Sequence, residues 1–119
     1  MKRVLIVDDD LDLLEMVCLM VETSNMSPLC VDNGDAALEA LTQEPFDLIL
    51  MDIYLGEYDG RALARQLKAT ENYKHIPILL YSAGNITRDS LEQSLADGFL
   101  QKPFDMPVLL NRMREMMIA

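Results

Sequence analysis

Three consecutive aspartates, Asp8, Asp9 and Asp10, follow the apolar run Val4-Leu5-Ile6-Val7, and a further one, Asp52, follows Leu48-Ile49-Leu50-Met51. Ser82 ends a third run, Ile78-Leu79-Leu80-Tyr81, and Lys102 follows a fourth, Phe99-Leu100-Gln101. If these runs are parallel strands, the polar groups emerge together at the sheet edge where ligands bind in open α/β sheets. Carboxylates gathered there repel. At about 4 Å a pair costs on the order of 4 kcal/mol at an effective dielectric of about 20, and one of them takes up a proton unless a cation intervenes. A hard divalent cation removes that cost, and Mg2+ combines carboxylate, phosphate and water oxygens in one shell. A carboxylate is also a competent nucleophile toward phosphorus, giving an acyl phosphate, with the protein supplying position and charge. On this reading Asp52 is the nucleophile. Asp9 and Asp8 hold Mg2+ (Mn2+ is an acceptable substitute) directly and through water, and the Ser82 hydroxyl and Lys102 ammonium bind the phosphoryl oxygens.

The elements that must position these groups follow from the hydrophobic pattern. Lys2–Val7 reads as a buried strand, and Asp10 is placed to cap a helix with Leu11, Leu14, Val17, Cys18 and Val21 on one face. Pro28–Val31 is a short second strand. Asp32-Asn33-Gly34 turns into a helix carrying Ala37, Leu38 and Leu41, which Pro45 stops. Phe46–Met51, the most apolar run, predicts a central third strand. A loop over Asp52–Asp59 leads to a helix with Gly60, Leu63, Ala64 and Leu67 at helical spacing. Ile76–Tyr81 is the fourth strand. Thr87 caps the next helix, with Ile86 and Leu91 spaced as a hydrophobic staple. Gly98–Gln101 is the fifth strand, and Asp105 is placed to cap the last helix, whose inner face includes Leu109, Met113 and Met116. The pattern is (βα)5, an α/β fold with a parallel sheet and helices on both faces.

A chain of 119 residues fits one domain, expected here as a single unit over 1–119 with no output domain. No apolar run reaches the ~20 residues of a membrane span, no secretory leader opens the chain, and the expected location is the cytoplasm. The formal charge of −10 disfavours a direct nucleic-acid partner, which needs a basic face. Cys18 and Cys30 sit in apolar contexts and are expected as separate reduced thiols. His75, the only histidine, falls in a loop. Met106, Met113, Met116 and Met117 crowd the final helix. They cannot all face inward at helical spacing; a core role serves two of them, and the remainder, Met106 and Met117, are expected to form an adaptable contact surface.

With these residues assembled, the chain closely resembles the receiver domain of two-component response regulators. The motifs that carry the resemblance are Val4-Leu5-Ile6-Val7-Asp8-Asp9-Asp10, Asp47-Leu48-Ile49-Leu50-Met51-Asp52 with Asp59-Gly60 downstream, Tyr81-Ser82-Ala83, and Lys102-Pro103-Phe104. The resemblance implies a stand-alone CheY-like, flavodoxin-like fold with strand order 2-1-3-4-5. It implies phosphorylation of Asp52 by a histidine kinase or phosphotransfer protein, the Tyr54 backbone carbonyl as a further metal ligand, and a cis bond before Pro103. It also implies a switch in which Ser82 moves toward the phosphoryl group and Phe99 turns inward. The fourth helix, fifth strand and fifth helix then form the face for a downstream protein, with the chain a monomer or weak dimer. Three departures from the family pattern stand out: Phe99 where tyrosine is common, Leu55-Gly56-Glu57-Tyr58 where a proline is common, and Gly84 where larger side chains occur.

The resulting function is that of a signalling phosphoacceptor rather than an enzyme with an external substrate. Two alternatives use the same residues. A small Mg2+-dependent aspartate-nucleophile phosphatase would place its nucleophile in the Asp8-x-Asp10 spacing. A degenerate receiver would bind partners without phosphorylation.

Overall fold

The computed structural model describes residues 1–118. In chain order the elements are β1 (Lys2–Val7), α1 (Leu11–Thr23), β2 (Met26–Val31), α2 (Gly34–Gln43), β3 (Leu48–Asp52), β4 (Tyr54–Leu55), β5 (Tyr58–Asp59), α3 (Gly60–Lys68), β6 (Ile78–Ser82), α4 (Arg88–Ser94), β7 (Gly98–Gln101) and α5 (Met106–Ile118). Strands β2-β1-β3-β6-β7 form one sheet in that order, all parallel. Counted over the sheet's own strands this is the order 2-1-3-4-5, the flavodoxin-like arrangement.

Alternation along β1 shows how the layers are built. Leu5 and Val7 pack into the core shared with Ala37, Leu41, Leu63 and Leu67 from α2 and α3. Val4 and Ile6 pack into the core shared with Leu14, Val17, Leu109 and Met113 from α1 and α5. All four strand residues are fully buried. A strand covered on both faces must be apolar throughout, and each fully buried aliphatic side chain contributes roughly 1.5–3 kcal/mol. The helix starts are fixed locally. Asp10, Asn33, Asp59 and Thr87 each accept a hydrogen bond from an amide in the first turn of the helix they precede, at 2.8–3.2 Å. At α5 the expected side-chain cap is replaced by backbone alone: the Asp105 carbonyl takes the first helical bond, from Leu109 at 3.1 Å.

Several expectations change in detail. The central strands start and end later than the expected Phe46–Met51 and Ile76–Tyr81, so Asp52 and Ser82 are themselves the last residues of β3 and β6. Strand β2 begins earlier, at Met26, and carries Pro28 within its ladder opposite Val4. Proline is tolerated there because β2 is an edge strand, whose outward side needs no donor. The segment after Asp52, expected as a loop, holds a two-stranded antiparallel hairpin, β4–β5. Gly56 turns it with a φ of +63°, and the Tyr58 hydroxyl fastens it to the Asp35 carboxylate at the start of α2.

Cys18 and Cys30 are brought together between α1 and β2, with Cα atoms 6.5 Å apart, because α1 packs directly beside the edge strand. On α5, Leu109 and Met113 are fully buried, and Met106, Met116 and Met117 are half-buried against the same core. No helix among the described residues is long and apolar enough to cross a membrane.

Candidate metal and phosphoryl site

The site is assembled by register. Val7 lies opposite Met51, Asp52 opposite Tyr81, and Ser82 opposite Gln101. Asp8, Asp52, Ser82 and Lys102 therefore leave four neighbouring strands at one rim. Gly60 lets α3 start beside this rim, its amide bonded to the Ile53 carbonyl at 2.6 Å. A Cβ on residue 60 would fall on the Asp52 carbonyl oxygen and lie 2.9 Å from Ile53 Cα.

Asp8, Asp9 and Asp52 each offer a carboxylate oxygen, and these oxygens all lie within 4.8 Å of one another. Asp9 is exposed, whereas Asp8 is 0% and Asp52 7% exposed. The Lys102 ammonium stands between the two buried acids, 3.1 Å from Asp52 Oδ2 and 3.5 Å from Asp8 Oδ2. The Lys102–Pro103 peptide bond is cis. Burial pushes the Asp52 carboxyl above its ordinary range; the Lys102 hydrogen bond and charge draw it back, and the Asp8 charge pushes it up again. Three hard, anionic oxygen donors within one cation's reach suit Mg2+ or Mn2+.

Asp8 is held on both sides. Its Oδ1 accepts the Asp10 amide at 2.9 Å, and its Oδ2 accepts the Tyr81 hydroxyl at 2.5 Å. Burial, followed by the neighbouring Asp8 charge, pushes the Tyr81 phenol far above its ordinary range, so the hydroxyl stays a donor. Asp52 Oδ1 accepts the Tyr54 amide at 3.2 Å. The Ser82 hydroxyl accepts the Gly84 amide at 3.1 Å and so faces its own loop. The Tyr54 side chain, about half exposed, lies over Gly84, where a Cβ would come within 3.0 Å of its ring. Phe99 pairs with Leu80 and is half-buried against the core on the α2–α3 side.

Two participants are new relative to the sequence reading. Gln101 donates from its side-chain amide to the carbonyls of Ser82 and Gly84, both at 3.1 Å. Together with the Lys102 amide on the Ser82 carbonyl at 2.8 Å, it fixes the start of the loop after β6. Tyr81 is the other. Its one signal was a hydroxyl at the end of an otherwise aliphatic run.

A family model described as the response regulator receiver domain matches residues 4–114. The chain is 36% identical over 122 residues to the response regulator receiver protein CpdR of Brucella abortus, with 100% of this chain and 99% of CpdR covered. It is 37% identical over 106 residues to the sensor histidine kinase GacS of Pseudomonas protegens, a match covering 85% of this chain and 12% of that kinase. Among solved structures it is similar to the signal receiver domain of a signal transduction histidine kinase from Syntrophus aciditrophicus. That match has a TM-score of 0.88 and 29% identity, and covers 98% of this chain and 90% of that one.

Proposed function

The chain belongs to the response regulator receiver family, and from that premise we propose that Asp52 is its phosphoacceptor. The observation that carries the assignment is the seating of the Lys102 ammonium 3.1 Å from Asp52 and 3.5 Å from Asp8 at the carboxyl edge of the sheet. Asp52 has the nucleophile's place, at the end of the central strand, with one oxygen fixed by the Tyr54 amide. It forms an O–P bond as the P–N bond of a phosphohistidine donor breaks, and the departing imidazole takes a proton from solvent.

Asp8, Asp9, Asp52 and the Tyr54 carbonyl are the groups that would hold Mg2+, or Mn2+ in its place. When bound, the ion supplies charge neutralisation for the incoming phosphoryl oxygens. Lys102 binds one of those oxygens. Ser82 binds another after its hydroxyl leaves the Gly84 amide, and Phe99 turns inward to report the change. The phosphodonor is a histidine kinase or phosphotransfer protein, met in the cytoplasm. Output passes to a downstream protein through the face built from α4, β7 and α5, with the chain a monomer or weak dimer. The rival phosphatase reading finds no support: Asp8 is fully buried beneath Tyr81, and the Asp10 carboxylate caps α1.

The test is incubation with Mg2+ and acetyl phosphate or phosphoramidate, followed by intact mass measurement. A single phosphoryl adduct on the parent protein that is lost in Asp52→Asn is the expected result. An adduct that survives in Asp52→Asn overturns the assignment.

A further inference from the structure

Tyr81 is fully buried, yet it touches two charged members of the site. Its hydroxyl donates to Asp8 Oδ2, and its ring lies under the Lys102 ammonium, 4.5 Å from Nζ to the ring centroid. The ring itself is held edge-on by Phe104, with centroids 5.8 Å apart and planes at 82°. An apolar side chain would fill the same core position, so packing alone explains neither contact. We propose that Tyr81 is a positioning residue for the metal and phosphoryl site, acting through Asp8 by its hydroxyl and through Lys102 by its ring; this rests on the function proposed above.

The two contacts divide the work. Asp8 Oδ2 has two donors in reach, the Tyr81 hydroxyl at 2.5 Å and the Lys102 ammonium at 3.5 Å. The shorter bond fixes the carboxylate and leaves Lys102 nearer to Asp52, at 3.1 Å. Without the hydroxyl, Asp8 keeps only the Asp10 amide and the ammonium, and its carboxylate is free to turn out of the orientation a cation needs, while the ring still seats Lys102. The ring acts separately: a cation over an aromatic face is attracted to it without a hydrogen bond. Groups that orient a metal-binding carboxylate typically change metal affinity by about 10–100-fold when removed. Tyr81 touches no reacting atom, so its hydroxyl sets how well the site is loaded rather than how fast the loaded site reacts.

Tyr81→Phe removes the hydroxyl and keeps the ring, whereas Tyr81→Leu removes both. Calorimetric titration with Mg2+ measures loading without any phosphodonor, and phosphoramidate kinetics at varied Mg2+ separate the half-saturating concentration from the maximal rate. For Tyr81→Phe we expect the Mg2+ Kd to rise about tenfold with an unchanged maximal rate. Tyr81→Leu should show the same weakening and also a lower maximal rate, because Lys102 has lost its seat. Far-ultraviolet circular dichroism checks that both variants are folded. Should Tyr81→Leu fail to fold, Tyr81→Met serves in its place. Equal Mg2+ affinity in the parent and Tyr81→Phe overturns the inference while leaving the phosphoacceptor reading intact. A parent protein that binds Mg2+ but forms no adduct on Asp52 overturns that reading instead.

Discussion

Replacing Lys102 with methionine removes the one ammonium that separates two buried carboxylates while keeping most of the side chain's volume. At an effective dielectric of about 20, contacts of 3.1 and 3.5 Å correspond to about 5 kcal/mol of attraction each. Lys102 is 16% exposed on its side chain, and losing one partner of a buried ion pair costs about 3–5 kcal/mol after solvation is counted. We expect Lys102→Met to destabilise the metal-free protein by about 3 kcal/mol near neutral pH. The loss must also depend on pH. Burial already holds the Asp52 carboxyl above its ordinary range, and Lys102 is what draws it back, so the variant's Asp52 rises further. A carboxyl whose folded value exceeds its unfolded value of about 3.9 is easier to keep protonated in the fold, so stability falls as pH rises through that window. Urea unfolding in the presence of a chelator should therefore show a larger gap between parent and variant at about pH 7 than at about pH 4.5. Added Mg2+ should narrow the neutral-pH gap, since the ion replaces the missing positive charge. An equal gap at both pH values would refute the reasoning and assign the contribution of Lys102 to packing on Tyr81.

Gly60→Ala should destabilise the fold by about 2 kcal/mol in urea unfolding, because its Cβ would meet the backbone of Asp52 and Ile53 rather than a movable side chain. Leu95→Gly should stabilise it by about 1 kcal/mol in the same assay. Leu95 ends α4 with a φ of +63°, a left-handed conformation, and is exposed, so little packing is lost with its side chain.

The layered sheet was legible because each central strand is an unbroken apolar run closed by a polar residue, and the rim because those closing residues are Asp8, Asp52, Ser82 and Lys102. Local caps at Asp10 and Thr87 were equally plain, since capping is decided within three residues. Contacts between distant segments were not. The Tyr81–Asp8 hydrogen bond joins residues 73 apart, and nothing in the spacing of either announces the other. The β4–β5 hairpin has two residues per strand, too short for any periodicity. The juxtaposition of Cys18 and Cys30 depends on α1 lying beside β2, whereas the sequence registers only that each cysteine has apolar neighbours.

Pro28, on the outermost strand, has a consequence for behaviour in crowded solution. Exposed backbone at the margin of a sheet is a template on which a second molecule can continue the ladder. A residue with no amide hydrogen leaves that margin short of a donor, and an intruding strand would meet a gap midway along β2. This flank is therefore a poorer template for a second copy's strand than an edge with a full row of donors.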